Sequence, residues 1–357
     1  NRIHFIPDVN SLNTVINGLV DKRSCDIRLG AYGYGDGGGG PTYGMLEFMK
    51  RAKNLDGMPE IEYGNASRFM AQLEETRDTL PLYDGELYLE LHRGTLTQMH
   101  QVKKNNRSAE IAMHNLELLN VLSKLPCNEK RDELYKVILK NQFHDIIPGT
   151  CIQRVYDIAI PEMRRTISDI RQETAVYMDA MTKQACDKLS LYNPLSFDRG
   201  DVVALEGAWG FEGVDTQCYT DWNGNEKTAL AVKIPAMEAA VLRKAEPKAG
   251  ESPFHAEGNV LTTPFYRAVF DENGYISQLT DLEADRAVHR EGGAPLGTLW
   301  LGEDMPFAWD NWDIDDDIFS KLKPVTALIS RETVSDGAVE YRIRSHYKLG
   351  RHSSITM

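Results

Sequence analysis

Apolar residues recur at helical spacing most clearly in the middle of the chain. Over 98–124 they are Val102, Ala109, Ala112, Met113, Leu116, Leu119 and Leu122, and the run stops at Leu125-Pro126. Asn128 is placed to cap a second helix over 131–143, whose apolar face is read as Leu134, Val137, Ile138 and Leu139. A third amphipathic run covers 156–189. Three long helices with short connections predict an antiparallel three-helix bundle. Before it the pattern is shorter and mixed. Ile3-His4-Phe5-Ile6 and 27–32 read as strands, and 12–20, 42–54 and 66–77 as helices. The strand at 27–32 leads into a glycine-rich loop and then a helix, the order of a βα unit that places its loop where α/β domains bind ligands. After 190 the period changes to two. Short runs at 202–205, 229–232 and 239–242 are strands, and Asp221-Trp222-Asn223-Gly224-Asn225 signals a hairpin. A polar stretch at 244–253 reads as a linker, and a second hairpin turns at Asn273-Gly274. The fold class predicted is multidomain α+β.

Composition narrows the partners more than the fold. The 357 residues are 42% hydrophobic and 26% charged, as in globular proteins, and exceed one ordinary core. A formal net charge of −13 argues against nucleic acid, whose phosphates need clustered Lys and Arg. No apolar run reaches bilayer length, so no membrane partner is expected. The five cysteines are scattered without a Cys-x-x-Cys pair and read as reduced thiols in a cytoplasmic protein. A homo-oligomer is compatible with all of this.

Three stretches carry candidate chemistry. In Gln142-Phe143-His144-Asp145-Ile146-Ile147-Pro148-Gly149-Thr150, proline and glycine are expected to stop the helix and leave His144 and Asp145 in its last turn. An imidazole beside a carboxylate there can ligate a metal, hold a substrate hydroxyl, or serve the helix end. The loop Gly33-Tyr34-Gly35-Asp36-Gly37-Gly38-Gly39-Gly40-Pro41-Thr42 lacks both the Lys of a P-loop and the Gly-x-Gly-x-x-Gly spacing. Tyr34 and Asp36 suit a sugar better, as stacking ring and as acid; a tight turn with Asp36 capping the next helix is the alternative. In 309–317, Trp309 and Trp312 alternate with Asp310, Asp313, Asp315, Asp316 and Asp317. Calcium is rejected, because the glycine and closing Glu of an EF-hand are missing. Rings between carboxylates suit a pyranose, which has an apolar face and hydroxyl edges.

Four stretches in order resemble the family 38 glycoside hydrolases, the zinc-dependent retaining α-mannosidases, and more closely their bacterial and cytosolic branch. They are the glycine loop, Gly85-Glu86-Leu87-Tyr88-Leu89-Glu90-Leu91-His92-Arg93-Gly94-Thr95, the 142–150 run, and Glu303-Asp304-Met305-Pro306-Phe307-Ala308-Trp309-Asp310-Asn311-Trp312-Asp313-Ile314-Asp315. The resemblance implies the end of an α/β, barrel-like catalytic domain over 1–82, the helical domain over 83–190, a small β domain over 191–252 and the start of a large β-sandwich over 253–357. It implies His144 as a zinc ligand, Asp36 as catalytic acid/base, and Tyr34, His92, Asp145, Trp309 and Trp312 as substrate-binding, with an α-mannoside glycan or oligosaccharide as partner. The family's early His-x-Asp and its nucleophile have no matching position here. A catalytic zinc needs three protein ligands. The expectation is therefore a central portion of a longer enzyme, with the remaining zinc ligands outside this chain and no turnover by the chain alone. Two other readings stay open: a metal-dependent phosphohydrolase, drawing on His92, His100 or His114, and a non-catalytic carbohydrate-binding module.

Overall fold

Capping chemistry starts the early helices. Asp8 Oδ1 accepts from the Ser11 amide at 2.6 Å to open α1 (Val9–Asn17), and Thr42 Oγ1 accepts from Met45 at 3.3 Å to open α2 (Tyr43–Ala52). Asn65 caps α3 (Ala66–Glu74) in the same way. This is a computed structural model that describes residues 4–19, 22–35, 38–85, 92–127, 129–182 and 186–357. The chain divides into two compact units, Asn1–Tyr88 and Leu89–Met357.

In the first unit, Leu12 of α1 and Met49 and Ala52 of α2 form a small core with Val15, Tyr32, Phe48, Met58 and Ile61 against it. The strand expected at 27–32 is not formed. Pairing falls instead on Gly33–Tyr34, antiparallel to His4–Phe5, while Tyr32 packs into the core. A strand needs a partner ladder, and the partner meets the chain at the first two residues of the glycine loop. Asn128, expected as a helix cap, lies outside the described residues.

In the second unit, α4 (His100–Ser123), α5 (Arg131–Asn141) and α6 (Gln153–Met181) share one core. Met113, Leu116 and Leu119 of α4 meet Ile138 of α5 and Met163, Ile167, Ile170 and Tyr177 of α6. The apolar stripe of each helix closes over the other two. At the edge of this core Asn141 is buried, its Nδ2 donating to Val137 O and to Glu162 Oε2, both at 2.9 Å. Burial raises the Glu162 carboxyl, but the hydrogen bonds from Lys140 and Asn141 outweigh it and hold the group below its usual range. A depressed carboxyl contributes stability that is present above its unfolded value and lost as pH falls through the folded one. Glu162→Gln is therefore expected to cost about 1 kcal/mol in urea unfolding at pH 7, discounted for the exposed Lys140, and almost nothing well below pH 4. An equal cost at both pH values would show that the charge is not involved.

The remainder is antiparallel sheet. Lys188–Tyr192, Ala239–Ala245 and Gly210–Phe211 form one three-stranded sheet, and Arg199–Glu206, Glu226–Ile234 and Thr216–Thr220 another. The expected hairpin turn closes through Asp221, which accepts from the Asn223 and Asn225 amides. A five-stranded meander runs from His255–Glu257 to Arg286–Ala287. Leu328–Asp336, Tyr341–Leu349 and Ser353–Thr356 form a further sheet. Tyr275 and Tyr347 stack at 5.3 Å between ring centres in a core with Val325. All five cysteines are free. Among the described residues no helix is long and apolar enough to cross a membrane.

Candidate active site

In the first unit the glycine loop is pinched at its neck. Tyr34 and Gly39 exchange both backbone hydrogen bonds, at 2.9 and 2.8 Å, and Gly38 turns at a φ of 67°. Gly33, at a φ of 134°, takes a conformation that a Cβ would strain. The ring of Tyr34 is partly exposed beside the loop. Asp36 lies outside the described residues. The capping role considered for it is filled by Thr42.

In the second unit His144 and Asp145 are not in a helical turn. α5 ends at Asn141, and residues 142–149 form successive turns, with Phe143 N–H to Lys140 O at 3.2 Å and Gly149 N–H to Ile146 O at 3.1 Å. Pro148 disfavours helical conformation at Ile147, but α5 ends six residues before it. Gln142 is pulled aside, its Nε2 donating to Asn106 Oδ1 at 3.0 Å and Glu110 Oε1 at 3.1 Å on α4.

The far end of the loop is anchored to α4 as well. Lys103 Nζ donates to the carbonyls of Ile147 and Pro148, both at 3.0 Å, and to Gln98 O at 2.5 Å. Burial pushes the Lys103 ammonium below the usual lysine range, and the three carbonyls offset that loss of water. Gly149, at a φ of 93°, passes so close to Gln98 that a Cβ would stand 2.9 Å from its carbonyl carbon and oxygen. Tyr156, buried on α6, accepts from the Cys151 amide at 2.7 Å and donates to Asp145 O at 3.4 Å. The loop backbone is thus held at several points while His144 faces outward and the half-buried Asp145 accepts from Thr150 Oγ1 at 3.3 Å. His144 is 78% exposed, and its Nε2 lies 3.8 Å from Asp145 Oδ2.

A second loop docks on the segment just ahead of α4. Gly94 N–H donates to Trp312 O at 3.0 Å, and the Arg93 amide to Asp313 Oδ1 at 3.4 Å. The Arg93 guanidinium pairs with Asp316. A Cβ on Gly94 would meet Asp313 and Trp312 backbone atoms at 3.2 Å, so glycine permits this approach. His92, itself at a φ of 71°, sets its ring edge-on to Trp312 at 5.1 Å. Trp309 is 73% exposed. Residues 92–98 therefore contact both the Trp312 loop, through Gly94, and the His144 loop, through Gln98.

Sequence reasoning passed over Lys103, Gln98, Asn106, Glu110 and Tyr156. Lys103 reads as the solvated face of an amphipathic helix, and nothing local marks its three carbonyl partners. The glutamine opening the 142–150 run was the available signal. For zinc, the donor set is decisive. Among the described residues no three His, Cys, Asp or Glu side chains converge, so His144 and Asp145 alone do not make a catalytic zinc site. His92, His100 and His114 are not brought into such a group either.

Comparison with known proteins matches three segments of the chain. Residues 8–86 match the N-terminal domain of the glycosyl hydrolases of family 38, 90–183 the alpha mannosidase middle domain, and 261–357 the family 38 C-terminal domain. The chain is 30% identical to human alpha-mannosidase 2C1 over 334 residues, covering 88% of this chain and 30% of that protein. It is 27% identical to alpha-mannosidase G of Dictyostelium discoideum over 376 residues, 92% of this chain and 34% of the other. It thus spans about a third of the length of these relatives. In fold it is similar to the crystal structure of an alpha-mannosidase from Enterococcus faecalis V583, with a TM-score of 0.53 at 12% identity, over 81% of this chain and 40% of that one. With the N-terminal, middle and C-terminal domains present in order, the chain belongs to glycosyl hydrolase family 38.

Proposed function

We propose that the protein is a zinc-dependent, retaining α-mannosidase acting on terminal α-mannosides of glycans or oligosaccharides, and that these residues supply part of its site. The observation that carries the reading is the exposed His144 beside the partly exposed Asp145, on a loop whose backbone is tied to α4 and α6, in a chain that matches all three family domain models. In this reading His144 is one zinc ligand and Asp145 binds sugar hydroxyls. Tyr34, His92, Trp309 and Trp312 meet the faces and edges of the sugar. Asp36 is the acid/base: it protonates the glycosidic oxygen, then takes the proton of the water that releases the sugar. The partner carboxylate stands about 5–5.5 Å away in a retaining enzyme and acts as nucleophile. Zinc, when bound, polarises sugar hydroxyls. In this reading its further ligands come from outside this chain, and the 357-residue chain alone is expected to show no turnover. The barrel-like, bundle and sandwich assignments and a cytoplasmic location, which the free thiols suit, belong to the same proposal.

Aryl α-mannoside hydrolysis by the protein made from the complete reading frame tests it. Activity should disappear on chelation and return with zinc. Activity that chelation leaves untouched would overturn the metal reading.

A further inference from the structure

The loop 303–317 holds seven carboxylates, Glu303, Asp304, Asp310, Asp313, Asp315, Asp316 and Asp317, and no Lys or Arg. Such a run repels itself and favours an extended chain. Here it is folded, and its acids are engaged in folding it. Asp315 Oδ2 accepts from Phe307 N–H at 2.7 Å, and Asp313 Oδ1 from Ile314 N–H at 3.0 Å. Trp309 O accepts from the amides of Trp312 and Asp313 at 2.7 and 2.9 Å. That closes a tight turn in which Trp309 itself takes a φ of 63°, uncommon for a bulky residue. Among the described residues two cations meet the loop. Lys321 pairs locally with Asp317 at 2.8 Å. Arg93 reaches it from 223 positions earlier in the chain, binding Asp316 with its guanidinium and Asp313 with its amide.

We infer that Arg93 is a positioning residue for sugar recognition: it folds the acidic loop against residues 92–94 and so holds the Trp309 and Trp312 indoles as a platform for the apolar face of a pyranose. The inference rests on the function proposed above. With the carboxylates of Asp313, Asp315, Asp316 and Asp317 engaged, the loop recognises the ring through its indoles, while Arg93 touches no substrate. The Arg93–Asp316 pair is largely exposed on the acid side, so its contribution to global stability is small. Its effect is on where the loop lies.

The test uses Arg93→Ala, Arg93→Lys and the exchanged pair Arg93→Asp with Asp316→Arg, in the complete protein. Arg93→Ala should raise KM for an aryl α-mannoside about tenfold in low salt, with kcat within about twofold and Tm unchanged. High salt, which shortens the Debye length to about 3 Å at 1 M, should lower that KM again by screening the carboxylates. Arg93→Lys and the exchanged pair should recover most of the binding. A second readout needs no turnover: acrylamide should quench Trp312 more in Arg93→Ala than in the parent, measured as the difference from the same proteins carrying Trp312→Phe. Equal losses of kcat and Tm, or unchanged KM and quenching, overturn the inference. If the parent hydrolyses no aryl α-mannoside, the proposed function fails, and the quenching difference still decides whether Arg93 positions the loop.

Discussion

Alanine at His144 is expected to abolish zinc-restorable mannoside hydrolysis in the complete protein while leaving it folded. The expectation of normal folding follows from geometry. The imidazole is mostly exposed, and among the described residues it meets the Phe143 ring, 4.1 Å between ring centres, and Asp145 at 3.8 Å. Substitutions at such positions change stability by within about 0.5 kcal/mol. The loop's anchors, Gln142 on Asn106 and Glu110, Lys103 on the Ile147 and Pro148 carbonyls, and Tyr156 on Asp145 O, are all elsewhere. Activity should fall more than about a hundredfold, because even groups that only orient metal ligands cost up to that when removed. Asp145→Asn should act differently, raising KM while leaving the chelator response intact, because it alters a hydroxyl contact. A His144→Ala protein that keeps its chelator-sensitive activity would remove the imidazole from the metal reading. A His144→Ala protein that unfolds would show that the loop depends on contacts beyond those described.

The second large effect concerns two adjacent residues. Ile138→Ala is expected to destabilise the Leu89–Met357 unit by about 2–5 kcal/mol, whereas Leu139→Ala should change it by within about 0.5 kcal/mol. Ile138 is 3% exposed and packs in the core shared by α4, α5 and α6, where truncation leaves a cavity that the neighbours fill only in part. Leu139 is 62% exposed. Both are aliphatic, and the run 131–143 reads them together as one apolar face. Three-helix packing admits only one. Urea unfolding of each variant checks the pair, and equal midpoint shifts would mean that α5 sits rotated from the orientation described.

The same contrast separates what was legible along the chain from what was not. The bodies of helices α1 to α6 were readable because apolar period is local: α4 was expected over 98–124 and runs His100–Ser123, whereas the run expected over 156–189 stops at Met181 and its last residues, Lys188 and Leu189, enter a strand that pairs with Ala239–Ala245. The Asp221–Asn225 turn was readable for the same reason, since an Asp side chain folding onto amides two and four residues ahead is local chemistry. The four motifs that carry the family resemblance are likewise strings of neighbours. What the sequence by itself determined is therefore helix and turn identity, acidic charge and family.

Tertiary structure decided the rest, because each remaining feature needs a partner far along the chain. The strand expected at 27–32 gave way to Gly33–Tyr34 because His4–Phe5 meets the chain there. The helix before His144 ended at Asn141 because Gln142 found α4, 32 and 36 positions earlier. Lys103 became a half-buried clamp through carbonyls 44 and 45 residues away, and Arg93 met its carboxylate after 223. A pattern of neighbouring residues states which face of an element is apolar, but only the packed chain determines what that face, or a charge beside it, will meet.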